Sequence, residues 1–304
     1  PKVSIMPLRF LNRDGSGDLM AGIKAIDYAI EKKADVISAS WGAQVSASQA
    51  QPLIDAVKRA SDAGVIFVAA AGNGDQSGNG LNNDNVGMYP ANATFDNTIT
   101  VAASDQADAK TTFSNFGRKS VHVAAPGLKI MSTLPDGNYN LLSGTSMATP
   151  LVSGLVALIK AQNKALTGMQ VSAIMQQTGN KAAIEVACNC RVNANASIDA
   201  VVNSKAVLVP YSYTMAAGST VKFEMLNASG AVNFESSDAA VVSFGADGTL
   251  TANKDGEVKV TATDAAGTKL TSESVYVWAR TGGGGGGEGC PLDDPAMCDI
   301  LCQI

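Results

Sequence analysis

A serine stands at the start of a long apolar helical pattern, in the string Gly144-Thr145-Ser146-Met147-Ala148-Thr149-Pro150. The first turn of a helix presents backbone N–H groups without intrahelical acceptors, and the helix dipole adds positive potential there. Such an environment stabilises the negative charge that develops on a carbonyl oxygen under nucleophilic attack. Ser146 therefore lies where chemistry on a substrate carbonyl group would be favoured. A serine N-cap on a core helix is the alternative interpretation.

An asparagine follows a second apolar run, in the string Ala69-Ala70-Ala71-Gly72-Asn73-Gly74. The preceding residues, 65–68, form a continuous apolar run that is typical of a buried parallel strand. Open α/β sheets bind their ligands at the carboxyl ends of the strands, which is where Asn73 is expected. Its side-chain amide can then donate into the cleft that holds Ser146. The alternative is a turn asparagine between two glycines.

Together and in this order, the two strings resemble the subtilisin-like (subtilase) serine peptidases, over roughly residues 1–204. In that family the first string carries the nucleophile and the second carries the oxyanion-hole asparagine, which implies these roles for Ser146 and Asn73. Residues 14–17 resemble the edge segment that pairs with an extended substrate, and residues 36–42 resemble the strand and loop that form one wall of the pocket for the residue before the cut. A peptide laid between two such edges would gain main-chain hydrogen bonds by strand addition. The resemblance therefore implies polypeptide substrates, with these residues in contact with them: Gly15, Ser40, Trp41 and Gly42.

The resemblance also bears on the pocket for the residue that precedes the cut. Tyr89-Pro90-Ala91 resembles the turn near the bottom of that pocket, and Met88 comes directly before it. We expect Met88 to reach the floor, to shorten the pocket and to disfavour large aromatic side chains.

A serine hydroxyl needs an adjacent base, and the base needs an orienting carboxylate. In the subtilase order both precede the oxyanion asparagine, in motifs of the DTG and HGTHVAG kind, and this sequence contains neither motif. The one histidine, His122, lies well after Asn73 in an alternating segment. We interpret it as a strand histidine with a structural or surface role and do not assign it as the base.

The start of the sequence suggests where the pair belongs. Residues 3–8 resemble the family strand that follows the histidine helix. We therefore expect the Asp and the His to lie upstream of Pro1. Two alternatives are an associated N-terminal chain that supplies the pair, and a non-catalytic surface protein that uses a degenerate peptidase fold as a binding platform.

The composition limits the class of protein. The chain has 304 residues, of which 46% are hydrophobic, so it can form a sizeable core. A net charge of −5 and a pI near 4.9 argue against nucleic acid as a partner, because phosphate binding needs clustered Lys and Arg. No window approaches eighteen unbroken apolar residues, so the sequence predicts no membrane span.

Residues 1–204 alternate helical and strand patterns. Leu19, Ile23, Ile26 and Ile30 mark one face of an amphipathic helix, and strands are expected to follow near residues 36, 65 and 99. This order predicts an α/β fold, a parallel sheet with helices on both faces, for a partial subtilisin-like peptidase domain over residues 1–204.

The pattern changes to period two near Lys205. Short alternating runs, separated by turn signals such as Asp247-Gly248, predict a small all-β sandwich over residues 205–281. Residues 242–262 resemble the bacterial Ig-like domains. We expect a spacer or a module for cell-surface or carbohydrate contact, with a plain stability appendage as the alternative.

Residues 282–304 contain six consecutive glycines, a flexible linker, and a tail with Cys290, Cys298 and Cys302. Cys188 and Cys190 complete the five cysteines, and their spacing is taken as too tight for an easy mutual disulfide. A bond between that loop and the tail, or within the tail, is expected in an oxidising compartment, with a metal site as the runner-up.

The Ig-like module and the cysteine-containing tail together favour an extracellular or cell-envelope location. Calcium is an expectation from the family resemblance alone, and no metal ligand is assigned in this sequence.

Overall fold

The computed structural model describes residues 2–279 of the chain. The helices within them are α1 (Leu19–Glu31), α2 (Ala47–Asp62), α3 (Thr145–Gln162), α4 (Gly168–Thr178) and α5 (Ala194–Val202). The first ten strands are β1 (Val36–Ala39), β2 (Ala43–Gln44), β3 (Ile66–Ala70), β4 (Met88–Tyr89), β5 (Thr98–Ser104), β6 (Val123–Pro126), β7 (Ile130–Thr133), β8 (Tyr139–Leu142), β9 (Asn180–Lys181) and β10 (Cys190–Arg191). A 3-10 helix, Pro135–Gly137, joins β7 to β8.

A six-stranded sheet with the order β1-β3-β5-β6-β10-β9 forms the centre of the first part. Its strands are parallel except for β9, which pairs antiparallel with β10 at one edge. Strands β3 and β5 are buried along their whole length, as expected for apolar runs that are covered on both faces. The predicted α/β class is confirmed, with one antiparallel edge strand that the pattern did not reveal.

The side chains of β3 alternate between two cores. Phe67 and Ala69 face the core that contains α1 and α2, whereas Ile66 and Val68 face the core that contains α3, α4 and α5. Helix α3 packs across β1, β3, β5 and β6. The N-terminus of α3 lies near the carboxyl ends of the strands.

The helix starts differ in how they are capped. Helix α4 begins after its N-cap Thr167, which forms a reciprocal capping box with Gln170. Helix α3 begins after Gly144, which offers no side-chain cap. Ser146 is therefore the second residue of α3 and not its N-cap, so its hydroxyl is not committed to closing the helix.

The structure assigns no strand to residues 3–8, which resemble a family strand, or to any other described residue before β1. The physical reason is the lack of a partner, because an extended segment needs a neighbour for its backbone hydrogen bonds. Side chains of this segment face solvent, and Ile5 is 88% exposed.

Cys188 and Cys190 form a disulfide with each other, which corrects the expectation that their spacing is too tight. Their Cα atoms are 5.1 Å apart, within the range that a disulfide spans. Asn189 between them has φ +45°, which turns the backbone back on itself and aims both sulfur atoms at each other. The disulfide between Cys188 and Cys190 therefore takes the place of the expected bond between one of them and the tail. Cys290, Cys298, Cys302 and the glycine run lie outside the described residues.

The second part is built of short strands in small sheets. These strands are β11 (Val207–Val209), β12 (Tyr213–Ala216), β13 (Thr220–Lys222), β14 (Glu224–Leu226), β15 (Val232–Ser236), β16 (Val242–Phe244), β17 (Thr249–Ala252), β18 (Gly256–Val258), β19 (Val260–Asp264), β20 (Lys269–Thr271) and β21 (Val275–Trp278). The period-two residues are buried as predicted, among them Phe223, Val260 and Val275. Most pairings are antiparallel, and β12 pairs with β21 in parallel.

Strand β11 belongs to both parts of the molecule. Val207 and Val209 pack into the core under α3 and α4, and Leu208 between them packs into the core of the second part. Polar contacts reinforce the junction, since Tyr213 Oη donates to Asp96 Oδ1 over 3.2 Å. Burial raises the pKa of both groups. The two parts therefore meet in a packed interface and not at a flexible hinge.

His122 lies at the start of β6, near that junction. Its Nδ1 accepts the backbone N–H of Thr100 over 2.9 Å, and burial lowers its pKa to about 4. A neutral ring is required because Nδ1 must keep its lone pair to accept this bond. The interpretation of His122 as a structural histidine agrees with this contact.

No helix in the described part has the length and apolar character to span a membrane.

Because β11 serves both cores, we expect residues 2–279 to unfold in one transition, and Leu208→Ala to lower the free energy of unfolding by about 2–5 kcal/mol. Trp41 reports on the first part and Trp278 on the second, and the chain has no other tryptophan. Urea titrations of Trp41→Phe and Trp278→Phe variants therefore follow each part alone. Leu208→Ala should shift both midpoints together. A shift confined to the Trp278 signal would contradict a packed interface between the two parts.

The neutral, partly buried His122 predicts a loss of stability in acid. Its folded pKa, about 4, lies below the ordinary value of 6.5, so between these values the unfolded state binds more protons and stability falls as the pH falls. His122→Gln keeps an acceptor for Thr100 N–H and does not titrate. Urea unfolding at stepped pH should show a shallower pH dependence for this variant between pH 6.5 and 4. Equal slopes for the two proteins would argue against the His122 imidazole as the cause.

Candidate active site

Ser146 lies at the N-terminal end of α3 and is partly exposed. Its Oγ donates to the backbone oxygen of Ser40 over 3.2 Å, and Ser40 Oγ donates to the backbone oxygen of Ser146 over 3.0 Å. This reciprocal pair joins the helix start to the segment that follows β1. The backbone N–H of Ser146 has no acceptor among the described residues. That N–H is one of the free donors that a helix start offers to a developing negative charge.

Asn73 faces the same helix start. Its Oδ1 accepts the backbone N–H of Thr145 over 2.8 Å and the Thr145 hydroxyl over 3.0 Å. Since both partners are donors here, the acceptor must be the oxygen of the carboxamide, and the NH₂ group is directed away from them. The Nδ2 and Oδ1 atoms lie 3.4 and 3.6 Å from an ideal Cβ placed on Gly144, two residues before Ser146. The structure thus brings Asn73 Nδ2 and the Ser146 N–H to one end of α3.

The loop around Asn73 depends on two glycines. Gly72 has φ +109° and Gly74 has φ +79°, a region that other residues rarely adopt. The backbone N–H of Gly72 donates to Thr145 Oγ1 over 3.2 Å, so the same threonine that receives Asn73 also holds the preceding residue. The alternative of an ordinary turn asparagine does not account for these contacts with α3.

Met88 lies between two glycines of neighbouring segments. An added Cβ on Gly72 would stand 2.9 Å from Met88 Cε, and one on Gly42 would stand 3.6 Å from Met88 Sδ. Met88 is 8% exposed, and β4 pairs antiparallel with β2, just beyond Gly42. Its thioether therefore fills the space between the Asn73 loop and the segment that starts at Ser40.

The remaining expected binding residues lie further out. Trp41 packs edge-on against Phe10 with ring centroids 5.0 Å apart, and its ring lies 3.4 Å from an ideal Cβ on Gly22 of α1. Gly15 occupies an exposed turn with φ +77°, closed by a hydrogen bond from its N–H to Asn12 O. The structure thus joins Ser40 directly to Ser146, and Asn73 to the neighbouring Thr145. Gly42 is connected to the Asn73 loop through Met88. The structure places Trp41 beside them and Gly15 in the separate turn before α1.

No hydrogen bond within residues 2–279 joins Ser146 Oγ to a histidine or a carboxylate. His122 contacts Thr100 at the junction described above, so it is committed elsewhere. Nor does any group of three His, Cys, Asp or Glu side chains come together as metal ligands in that part of the chain. Calcium stays an expectation from the resemblance.

The sequence reasoning missed several polar residues around the site. Thr145 stands inside the serine string, so its position in the site could have been found from the sequence. Its contact with Asn73 could not, because the two residues are 72 positions apart in the chain. Asn83 and Asn115 are completely buried behind the Asn73 loop. Nothing in their local pattern distinguishes them from turn asparagines.

A serine on a buried helix, a facing asparagine and a largely parallel sheet define the first part as an α/β protein of the serine-peptidase type. The subtilase family model matches residues 1–197, and the model of the bacterial Ig-like domain (group 2) matches residues 195–275. The chain belongs to the subtilase family, and an Ig-like domain follows its peptidase part.

Individual relatives agree. Thermitase of Thermoactinomyces vulgaris is 42% identical over 181 residues, which is 60% of this chain and 59% of that protein. Subtilisin DY of Bacillus licheniformis is 38% identical over 171 residues, 56% of this chain and 59% of that protein. The chain thus spans about three fifths of the length of these relatives.

Solved structures show the same fold. The self-cleaved protease domain of PatA superposes with a TM-score of 0.52 at 28% identity, covering 60% of this chain and 68% of that one. A cold-adapted subtilisin-like serine proteinase gives a TM-score of 0.51 at 31% identity, over 61% of this chain and 63% of that one.

Proposed function

We propose that this chain carries the nucleophile and the oxyanion hole of a serine endopeptidase that cleaves extended polypeptide segments through an acyl-enzyme on Ser146. The observation that carries the proposal is the pair of bonds from Thr145 to Asn73 Oδ1, 2.8 and 3.0 Å long. They turn Asn73 Nδ2 toward the end of α3 that bears Ser146. Two donors, Asn73 Nδ2 and Ser146 N–H, then face the place where a substrate carbonyl oxygen would acquire charge.

In the proposed reaction, Ser146 Oγ attacks the carbonyl carbon and its proton passes to a base. The oxygen of the tetrahedral intermediate accepts hydrogen bonds from the two donors, and the amine leaves with the proton. The base must reach Oγ on the side that Ser40 does not occupy. We propose that a histidine and its orienting aspartate come from outside the present chain, since His122 is engaged with Thr100.

The same proposal gives the Ig-like part a supporting role. It packs on the peptidase part through β11 and through an ion pair between Lys181 and Glu273. We propose an extracellular or cell-envelope enzyme whose Ig-like part holds the peptidase part at a surface. The disulfide between Cys188 and Cys190 supports an oxidising compartment.

A fluorophosphonate probe tests the proposal because only an activated serine reacts with it. We expect the complete gene product to be labelled on Ser146 and to hydrolyse chromogenic peptides. Ser146→Ala should abolish both signals, whereas Ser153→Ala, which changes the serine two turns further along α3, should retain them. The present chain alone should show little turnover, because removal of triad members leaves only about 10³–10⁴-fold acceleration over water.

Each outcome assigns a function. Ser146-dependent labelling of the complete protein supports the endopeptidase. Absence of labelling in a folded complete protein would contradict it and would favour the non-catalytic binding platform. Brisk, Ser146-dependent turnover by the chain of 304 residues alone would show that the base is already present in it.

The position of Met88 predicts substrate preference. Met88→Gly should deepen the pocket between Gly42 and Gly72, so peptides with Phe or Tyr before the cut should gain about tenfold or more in kcat/KM relative to Ala peptides. Met225→Ala changes a methionine of similar burial in the Ig-like part and serves as the control. An unchanged preference in Met88→Gly would remove Met88 from the pocket.

A further inference from the structure

Three asparagines are buried behind the candidate active site, outside the cleft itself. Asn83 and Asn115 are completely buried, and Asn92 is 7% exposed. A buried carboxamide costs free energy unless its donors and acceptors are paired. A cluster of three is therefore expected only where their hydrogen bonds fix something that apolar packing cannot.

Asn115 holds the backbone on both sides of Asn73. Its Nδ2 donates to Ala71 O over 3.0 Å, and its backbone N–H donates to Gly72 O over 3.0 Å. Its Oδ1 accepts the N–H of Gly74 over 2.9 Å. The two glycines give this loop a large conformational freedom. The hydrogen bonds of Asn115 supply the constraint that the two glycines lack. The Asn115 side chain lies close to Gly72, since an added Cβ on Gly72 would stand only 2.6 Å from Asn115 Nδ2.

The other two asparagines extend these contacts to the pocket floor. Asn115 Nδ2 also donates to Asn83 Oδ1 over 2.9 Å, and Asn83 Nδ2 donates to Ala71 O over 2.8 Å. Asn92 Nδ2 donates to Asn83 O over 2.7 Å, and Asn92 Oδ1 accepts the backbone N–H of Met88 over 3.1 Å. One continuous set of hydrogen bonds thus runs from the Asn73 loop to Met88.

We propose that Asn115, Asn83 and Asn92 form a positioning network that holds the oxyanion donor Asn73 and the pocket residue Met88 as one rigid unit. This inference rests on the proposed function for its catalytic consequence and on the contacts above for its geometry. None of the three side chains reaches the cleft, so they act through Asn73 and Met88. A substrate side chain that presses on Met88 is thereby coupled to the position of the oxyanion donor.

Asn115→Asp is the sharpest variant, because it keeps the shape and the acceptor and removes the Nδ2 donors. In the complete gene product we expect kcat to fall about 10–100-fold, since a misplaced oxyanion donor loses much of its effect. KM should change less than about threefold, because the groups that line the cleft remain.

The matched control is Gln176→Glu. Gln176 is 2% exposed, donates to Ser172 Oγ over 2.9 Å and accepts from Ser212 Oγ over 2.7 Å, away from the cleft. It should lose thermal stability as Asn115→Asp does and keep kcat. An equal fall of kcat in both variants would mean that lost stability alone explains the effect.

A double-mutant cycle separates positioning from general damage. If Asn115 acts through Asn73, then Asn115→Asp on the Asn73→Ala background should lower kcat less than about threefold further. Full additivity of the two changes would overturn the proposal.

The network can also be tested without catalysis, in the chain of 304 residues. In Asn115→Asp, and in Asn92→Asp, the NMR signals of the Asn73 side-chain NH₂ and the Met88 methyl should shift and broaden together. Asn92 contacts the Met88 backbone and not the Asn73 loop, so movement of the Asn73 signals in this variant reports the coupling. It is also the second variant should Asn115→Asp not fold.

The two kinds of failure are distinct. Unmoved Asn73 signals in a folded Asn92→Asp or Asn115→Asp chain would overturn the network. A complete gene product without Ser146-dependent turnover would overturn the proposed function and leave the NMR result to decide the network.

Discussion

The hydrogen bond from the Thr145 backbone N–H to Asn73 Oδ1 fixes the geometry on which the whole site depends. It uses one of the free donors at the start of α3 to orient a carboxamide from a loop 72 positions earlier in the chain. The next residue, Ser146, keeps its own N–H free of an acceptor among the described residues. Three hydrogen bonds between Thr145 and the Asn73 loop thus hold a helix end and a distant loop together at the serine.

That bond holds only because both partners are rigid. Helix α3 is buried across four strands of the sheet, and the Asn73 loop is tied from behind by buried asparagines. The glycines beside Asn73 permit the backbone conformation without enforcing it, so the constraint comes from distant side chains. In physical terms, the site is an apolar scaffold with a small, fully paired polar core behind it.

Much of the fold followed from the sequence, because periodicity directly reflects burial. The apolar runs at β3 and β5 and the alternating residues of the Ig-like part have local causes and were predicted. The Ser146 and Asn73 strings marked the chemistry. What the pattern did not reveal arises from contacts between residues far apart in sequence: the edge strand β9, the contact of Thr145 with Asn73 and the asparagines behind it.

One expectation was wrong, and one segment differs from what its resemblance suggests, for related reasons. Residues 3–8 resemble a family strand, but a strand forms only with a hydrogen-bonding partner. The spacing of Cys188 and Cys190 looked too tight, but the positive φ of Asn189 folds the backbone sharply enough to join them. Both cases turn on backbone geometry, about which side-chain patterns say little.

The alternation of side chains along β11 also limits how the chain can be divided. Removal of the Ig-like part together with β11 would expose the apolar surface that Val207, Val209 and Tyr211 cover on the peptidase core, and those three residues would face water on the separated fragment. Truncation between the two parts would therefore leave each fragment with an uncovered apolar patch, which favours aggregation.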